Sequence, residues 1–146
     1  MVESSEITEK HGVVFILWDG EKIQLEKRLE EGTEFFGYTI IPGGAIETSE
    51  TQEEALLREV CEEYGVVPSE YRKVGIVDTI EQNGTLNFRH VFLVTGWNGQ
   101  LSNPEDKNEH IKTTLEEARK LCTHPISQRI LDLVGVEIFS ARQIGG

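Results

Sequence analysis

Residues 44–66 read GAIETSETQEEALLREVCEEYGV. Glu59, Glu62 and Glu63 are spaced i, i+3, i+4, so on a helix their carboxylates stand on one face within a single turn. The local punctuation predicts such a helix over about residues 50–64: Ser49 serves as N-cap with Gln52 three places on, glutamates fill the early turns, and Gly65 fits the C-cap. Ala55, Leu56 and Val60 supply an apolar side that can bury against a sheet while the acids lie elsewhere. Like charges that close repel. A solvated helix face tolerates them at a few tenths of a kcal/mol per pair, whereas a divalent cation among them turns repulsion into ligation.

Upstream, MVESSEITEK is polar and reads as loosely structured, and HGVVFILW is a continuous apolar run rich in β-branched and aromatic residues, which predicts a buried strand. Asp19-Gly20 is a hairpin signal, and Ile23 and Leu25 alternate in EKIQLEKR, so the first two strands are expected to pair antiparallel. YTII is a further short strand, ended by Pro42-Gly43-Gly44. That turn lets backbone atoms approach a ligand, because glycine lacks the Cβ that would block them.

Downstream, Asn83-Gly84 separates two strand-like runs and predicts a hairpin, and Asn-Gly recurs at 98–99. LSNPEDKNEH reads as a polar loop. A helix starts at Thr114 with Glu117 three residues on, another begins near Pro125, and the tail FSARQIGG carries no signal. Strands, a helix, more strands and C-terminal helices, with no repeat or linker, predict an α/β fold: one domain over residues 1–146 with a mixed β-sheet sandwiched between helices.

With 26 acidic against 14 basic residues the net charge is −12, which argues against extended nucleic acid or an anionic membrane as partner. An anionic substrate would need metal ions as intermediaries. Most of the glutamates are best read as solvated surface, the cluster at 59–63 being the exception. Cys61 and Cys122 lie far apart, without CxxC spacing, and are expected to be buried free thiols. No run approaches the ~18 apolar residues of a membrane span, and a soluble, cytoplasmic protein is expected.

The stretch 44–66 resembles the Nudix box: Gly44, Glu50, Arg58, Glu59, Val60, Glu62, Glu63, Gly65 and Val66 meet the family pattern in full. A chance match of that length is on the order of one in a million. The resemblance implies the Nudix fold, an α/β/α sandwich, and hydrolysis of a phosphoanhydride in a nucleoside diphosphate linked to another group. All-oxygen ligation from one helix face suits Mg²⁺ or Mn²⁺ rather than zinc.

By resemblance, Glu59, Glu62 and Glu63 are metal ligands, with Glu59 or Glu62 also helping to deprotonate the attacking water, and the Gly43 carbonyl is a further ligand. Glu50 and Arg58 are read as a structural pair tying loop to helix, with Gly65 closing it. Outside the box, Glu109 is the candidate for an additional acidic ligand, ahead of Glu105. Arg28 and Gly44 are candidates for substrate contact. Phe35, Phe36 and Tyr38 are read as packing the sheet edge, with stacking on a base as the alternative. His90 reads as a satisfied core or pocket-lining histidine, His124 as a turn residue and Cys61 as packing.

The expected substrate is a (deoxy)nucleoside triphosphate cleaved to monophosphate and pyrophosphate, as in MutT-like members. ADP-ribose, nucleotide sugars and dinucleoside polyphosphates are the alternatives within the enzyme class. A non-catalytic nucleotide-sensing module is the alternative of another class, although no box acid is lost. The partner is a small-molecule nucleotide, and the protein is expected to be a monomer or homodimer.

Overall fold

Along the first strand, Val13, Phe15 and Leu17 alternate with Ile16 and Trp18, and all five are buried. An uninterrupted apolar run of this kind marks a strand covered on both faces. The computed structural model describes residues 8–145 and shows both covers. Val13, Phe15 and Leu17 pack with Ala55, Leu56, Val60 and Tyr64 on one side. On the other, Ile16 and Trp18 join Ile23, Leu25, Ala118, Cys122, Ile130, Leu131, Val134 and Ile138.

The element order is β1 (Glu9–Leu17), β2 (Ile23–Lys27), β3 (Thr39–Ile40), β4 (Gly43–Ala45), α1 (Gln52–Tyr64), β5 (Val67–Ile80), β6 (Leu86–Asn98), β7 (Glu109–Thr113), α2 (Leu115–Leu121) and α3 (Pro125–Gly145). Two sheets result, a four-stranded β4-β1-β6-β5 and a three-stranded β3-β2-β7. The larger is mixed: β1 runs parallel to β6 and antiparallel to β4, and β5 and β6 form the hairpin expected at Asn83-Gly84. Helix α1 packs against one face of this sheet, and α2 and α3 lie with the smaller sheet across the other. This is the expected α/β/α sandwich.

Several local expectations need correction. β1 and β2 do not form a hairpin, because both edges of β1 are taken by β4 and β6; a single Trp18–Ile23 bridge joins them. β2 instead sits between β3 and β7. The N-cap of α1 is Thr51, not Ser49: its hydroxyl accepts from the Glu54 amide while the Glu54 carboxylate accepts from the Thr51 amide. The C-cap is Gly65, as expected, in the left-handed region at φ 71°.

Gly43 and Gly44 continue into strand β4 rather than breaking the chain, and residues 109–113, expected to end a loop and approach a helix, form β7. Phe36 and Tyr38 are exposed rather than packed, and Phe35 and Tyr38 meet the His124 ring edge-on. Cys122 is buried but Cys61 is exposed. Residues 1–7 of the polar opening lie outside the described residues, whereas the tail extends α3 as far as Gly145. No helix among the described residues is long and apolar enough to cross a membrane.

Candidate active site

Arg58 organises the start of the site. Its Nε and Nη2 donate to the two Glu50 oxygens at 2.6 and 2.8 Å, a bidentate pair, and Nη2 also donates to the Ala45 carbonyl at 3.0 Å. Glu50 in turn accepts from the Glu47 amide at 2.9 Å. These bonds hold the Glu50 carboxyl down at about 2, the Arg58 hydrogen bond being the largest cause. One side chain thus fastens β4 and the following turn to α1, the tie expected of Glu50 and Arg58.

The third guanidinium nitrogen turns to the acids. Arg58 Nη1 donates to Glu59 at 2.9 Å and to Glu62 at 3.4 Å. Glu59 is largely buried and Glu62 half exposed. The Glu59 carboxylate lies directly over Gly44, where an added Cβ would sit 2.1 Å from Oε1. Gly44 is therefore required for the Glu59 side chain to occupy its place. Burial raises the Glu59 carboxyl, with Arg58 opposing that shift.

Glu63 faces inward. Its Oε2 is buried without a hydrogen-bond partner. Burial first, then the Glu26 and Glu59 charges, push its carboxyl up to about 9. A second orphaned oxygen belongs to Glu26 on β2, whose Oε2 is likewise buried and unpartnered. Among the described residues no three His, Cys, Asp or Glu side chains converge on one ion position as they stand, Arg58 drawing Glu59 and Glu62 to itself.

The donor set nevertheless fits a hard divalent cation. It is all oxygen, it carries orphaned buried carboxylate oxygens that demand a positive partner, and Gly44, lacking a Cβ, gives the Glu59 carboxylate its place.

Gly43 and Gly44 also line a cleft of about 870 Å³ that runs along β1 past Arg28, Phe35, Asn87 and Arg89 to Ile126 and Ile130. Arg28 stands at its wall, 3.7 Å from Glu26. Arg89 donates to Thr79 at 2.9 Å and is half-buried, which lowers its pKa.

The structure separates the two loop candidates. Glu105 contributes electrostatically at Glu26, Glu59 and Glu63 alike. Glu109 pairs across from Lys27, in line with Ile111 and on the face opposite to Glu26 and His110. The chain thus brings Glu105 rather than Glu109 toward the acids. His90 is buried with both ring nitrogens engaged, by Lys73 at 2.8 Å and His11 at 2.9 Å, as a satisfied core histidine should be.

Sequence reasoning missed Glu26, Asn108 and Arg89. For Glu26 and Arg89 the available signal was a charge inside an otherwise strand-like apolar segment, IQLEK or NFRHVFLV; Asn108, in a polar loop, carried none.

A family model for the NUDIX domain matches residues 9–134. The chain belongs to the Nudix family, and it is a MutT-like Nudix pyrophosphohydrolase. It is 34% identical over 101 residues to an 8-oxo-dGTP diphosphatase of Proteus vulgaris, covering 66% of this chain and 76% of the relative. It is 32% identical over 95 residues to an ADP-ribose pyrophosphatase of Methanocaldococcus jannaschii, covering 64% of this chain and 55% of the relative. The crystal structure of a MutT NUDIX hydrolase from Burkholderia pseudomallei superposes with a TM-score of 0.76 at 24% identity, over 87% of this chain and 98% of that one. Nudix hydrolases generally use divalent metal ions.

Proposed function

We propose that this enzyme hydrolyses a nucleoside triphosphate to the monophosphate and pyrophosphate, with Mg²⁺ or Mn²⁺ held by Glu59, Glu62, Glu63 and the Gly43 carbonyl. The observation that carries the reading is that the Glu59 carboxylate lies over Gly44, which also lines a cleft of about 870 Å³ walled by Arg28 and Arg89. A pocket of that size suits one nucleotide. The 8-oxo-dGTP diphosphatase likeness, which spans more of its relative than the ADP-ribose pyrophosphatase likeness does, supports the same substrate class.

When bound, the ions screen the phosphate charge and lower the pKa of a coordinated water. The protein supplies the positioning. Arg28 meets the phosphates at the cleft wall, while Arg58 and the open face of Gly44 fix the Glu59 carboxylate. Glu59, which Arg58 holds over Gly44, or Glu62 is the base that takes the water proton. With a net charge of −12, the protein depends on these cations to admit an anionic substrate.

The test is a release assay with Mg²⁺ or Mn²⁺ and inorganic pyrophosphatase, run against ordinary and oxidised nucleoside triphosphates, nucleotide sugars, dinucleoside polyphosphates and ADP-ribose. For products that lack free pyrophosphate, a phosphatase is added. Metal-dependent release from triphosphates, reduced by orders of magnitude in Glu62→Gln, is expected. Turnover of ADP-ribose alone would replace this reading with the second one, which rests on the pyrophosphatase likeness. Unchanged turnover in Glu62→Gln would overturn the ligand assignment.

A further inference from the structure

Glu26 is a carboxylate on the central strand of the smaller sheet, 3% exposed. Burying a carboxylate is costly unless it is paired, and Glu26 is only half provided for. Its Oε1 accepts from the Asn108 side chain and stands 3.7 Å from Arg28 Nε. Its Oε2 meets nothing.

The strand register shows where this side chain looks. Glu26 is directly opposite His110 on β7, so the two share a face of the sheet. The His110 ring stacks on Tyr64, centroids 4.2 Å apart. That face is therefore turned to the last turn of α1, which carries Glu63 and Tyr64. Ile23 and Leu25, on the alternate face, go into the core with α2 and α3. Four buried polar atoms thus lack hydrogen-bond partners around this one junction: Glu26 Oε2, Glu63 Oε2, the Tyr64 hydroxyl and Arg28 Nε, the last standing on the Oε1 side of Glu26. Two buried carboxyl oxygens without hydrogen-bond partners, beside a set of cation-ligating acids, call for a positive charge between them, and Arg28 stands on the other oxygen of Glu26.

We propose that Glu26 is a further ligand of the divalent-cation centre, contributing its free Oε2 to an ion shared with Glu63. Asn108 donates to the other oxygen and aims the carboxylate, with the Arg28 guanidinium 3.7 Å from it. This rests on the reading of the α1 acids as a metal site and extends it from the helix to β2.

The test uses the whole protein and measures Mn²⁺ binding by the electron paramagnetic resonance signal of the free ion, alongside thermal melting. Glu26→Gln keeps the shape and can still accept from Asn108, but it removes the charge. It is expected to weaken Mn²⁺ binding, or abolish one bound ion, by about tenfold or more in affinity. In EDTA it should melt at or above the wild-type temperature, since a repelling buried charge is gone, while gaining fewer degrees on adding Mn²⁺.

A merely structural Glu26 would do the reverse, lowering the metal-free melting temperature and leaving the Mn²⁺ titration superimposed on wild type; that result overturns the proposal. Should Glu26→Gln not fold, Glu26→Asp retracts the carboxylate and is judged by the same titration. Wild type that binds Mn²⁺, with binding weakened in Glu62→Gln but not in the Glu26 variant, would sink this proposal alone. Wild type that binds no Mn²⁺ would remove the underlying metal reading as well.

Discussion

Two adjacent glycines in this site have different reasons to be glycine, and substitution separates them. At Gly44 an added Cβ would meet the far end of the Glu59 side chain, at 2.1 Å from Oε1 and 2.3 Å from Cδ. That end can swing away, so Gly44→Ala should fold and melt close to wild type. Its turnover should nevertheless fall about 100-fold, because a catalytic group displaced by an ångström loses that much. At Gly43 the added Cβ would lie 2.2 Å from the Val13 carbonyl oxygen, which is fixed in the β1–β4 ladder. Gly43→Ala should therefore lower the melting temperature clearly. Melting curves and kcat for the pair decide the matter; equal melting behaviour would show that the two glycines are not constrained as described.

At the scale of elements, Arg58 is the fastening between β4 and α1. Arg58→Ala should lower the melting temperature by several degrees and reduce turnover as well, since Glu50, Glu59 and the Ala45 carbonyl all lose a donor. Arg58→Lys should recover little, because an ammonium cannot form the bidentate pair with Glu50. A melting temperature equal to wild type in Arg58→Ala would deny the fastening role. The elements that sequence made legible are those specified locally. Helix α1 shows its cap glycine, its apolar side and its acids within one stretch, and the β5–β6 hairpin declares itself by Asn83-Gly84. Strands β4 and β7 were missed because three to five residues acquire strand form only from a partner far along the chain. The same cause hid Glu26, whose burial is created by β7 and α1 rather than by its neighbours in IQLEK, and it made Glu109 look better placed than Glu105.

At the scale of the whole molecule, pH and metal are linked through the buried acids. Without metal, the folded state holds the Glu63 proton up to about pH 9, against an ordinary 4.5. The contribution is fully present below about pH 4.5 and is lost as pH rises through 9. His90 acts in a lower window: burial brings it to about 4, so its contribution is lost only as pH falls below its ordinary 6.5. Between pH 7 and 9 in EDTA the melting temperature should therefore decline, and Mg²⁺, which favours the ionised acids, should flatten that decline. Melting curves with and without Mg²⁺ test this, and a metal-induced gain that does not widen toward pH 9 would count against it. The parallel pairing of β1 with β6 carries a consequence for synthesis. The nine residues of β1 have their central partner 77 positions later, at 86–94. As the chain leaves the ribosome, β4 can cover one edge of β1 early, but the other edge stays open until the β5–β6 hairpin has emerged. The nascent chain thus carries this apolar strand with one edge unpaired until those residues have been made, the interval in which the edge is open to pairing with another chain.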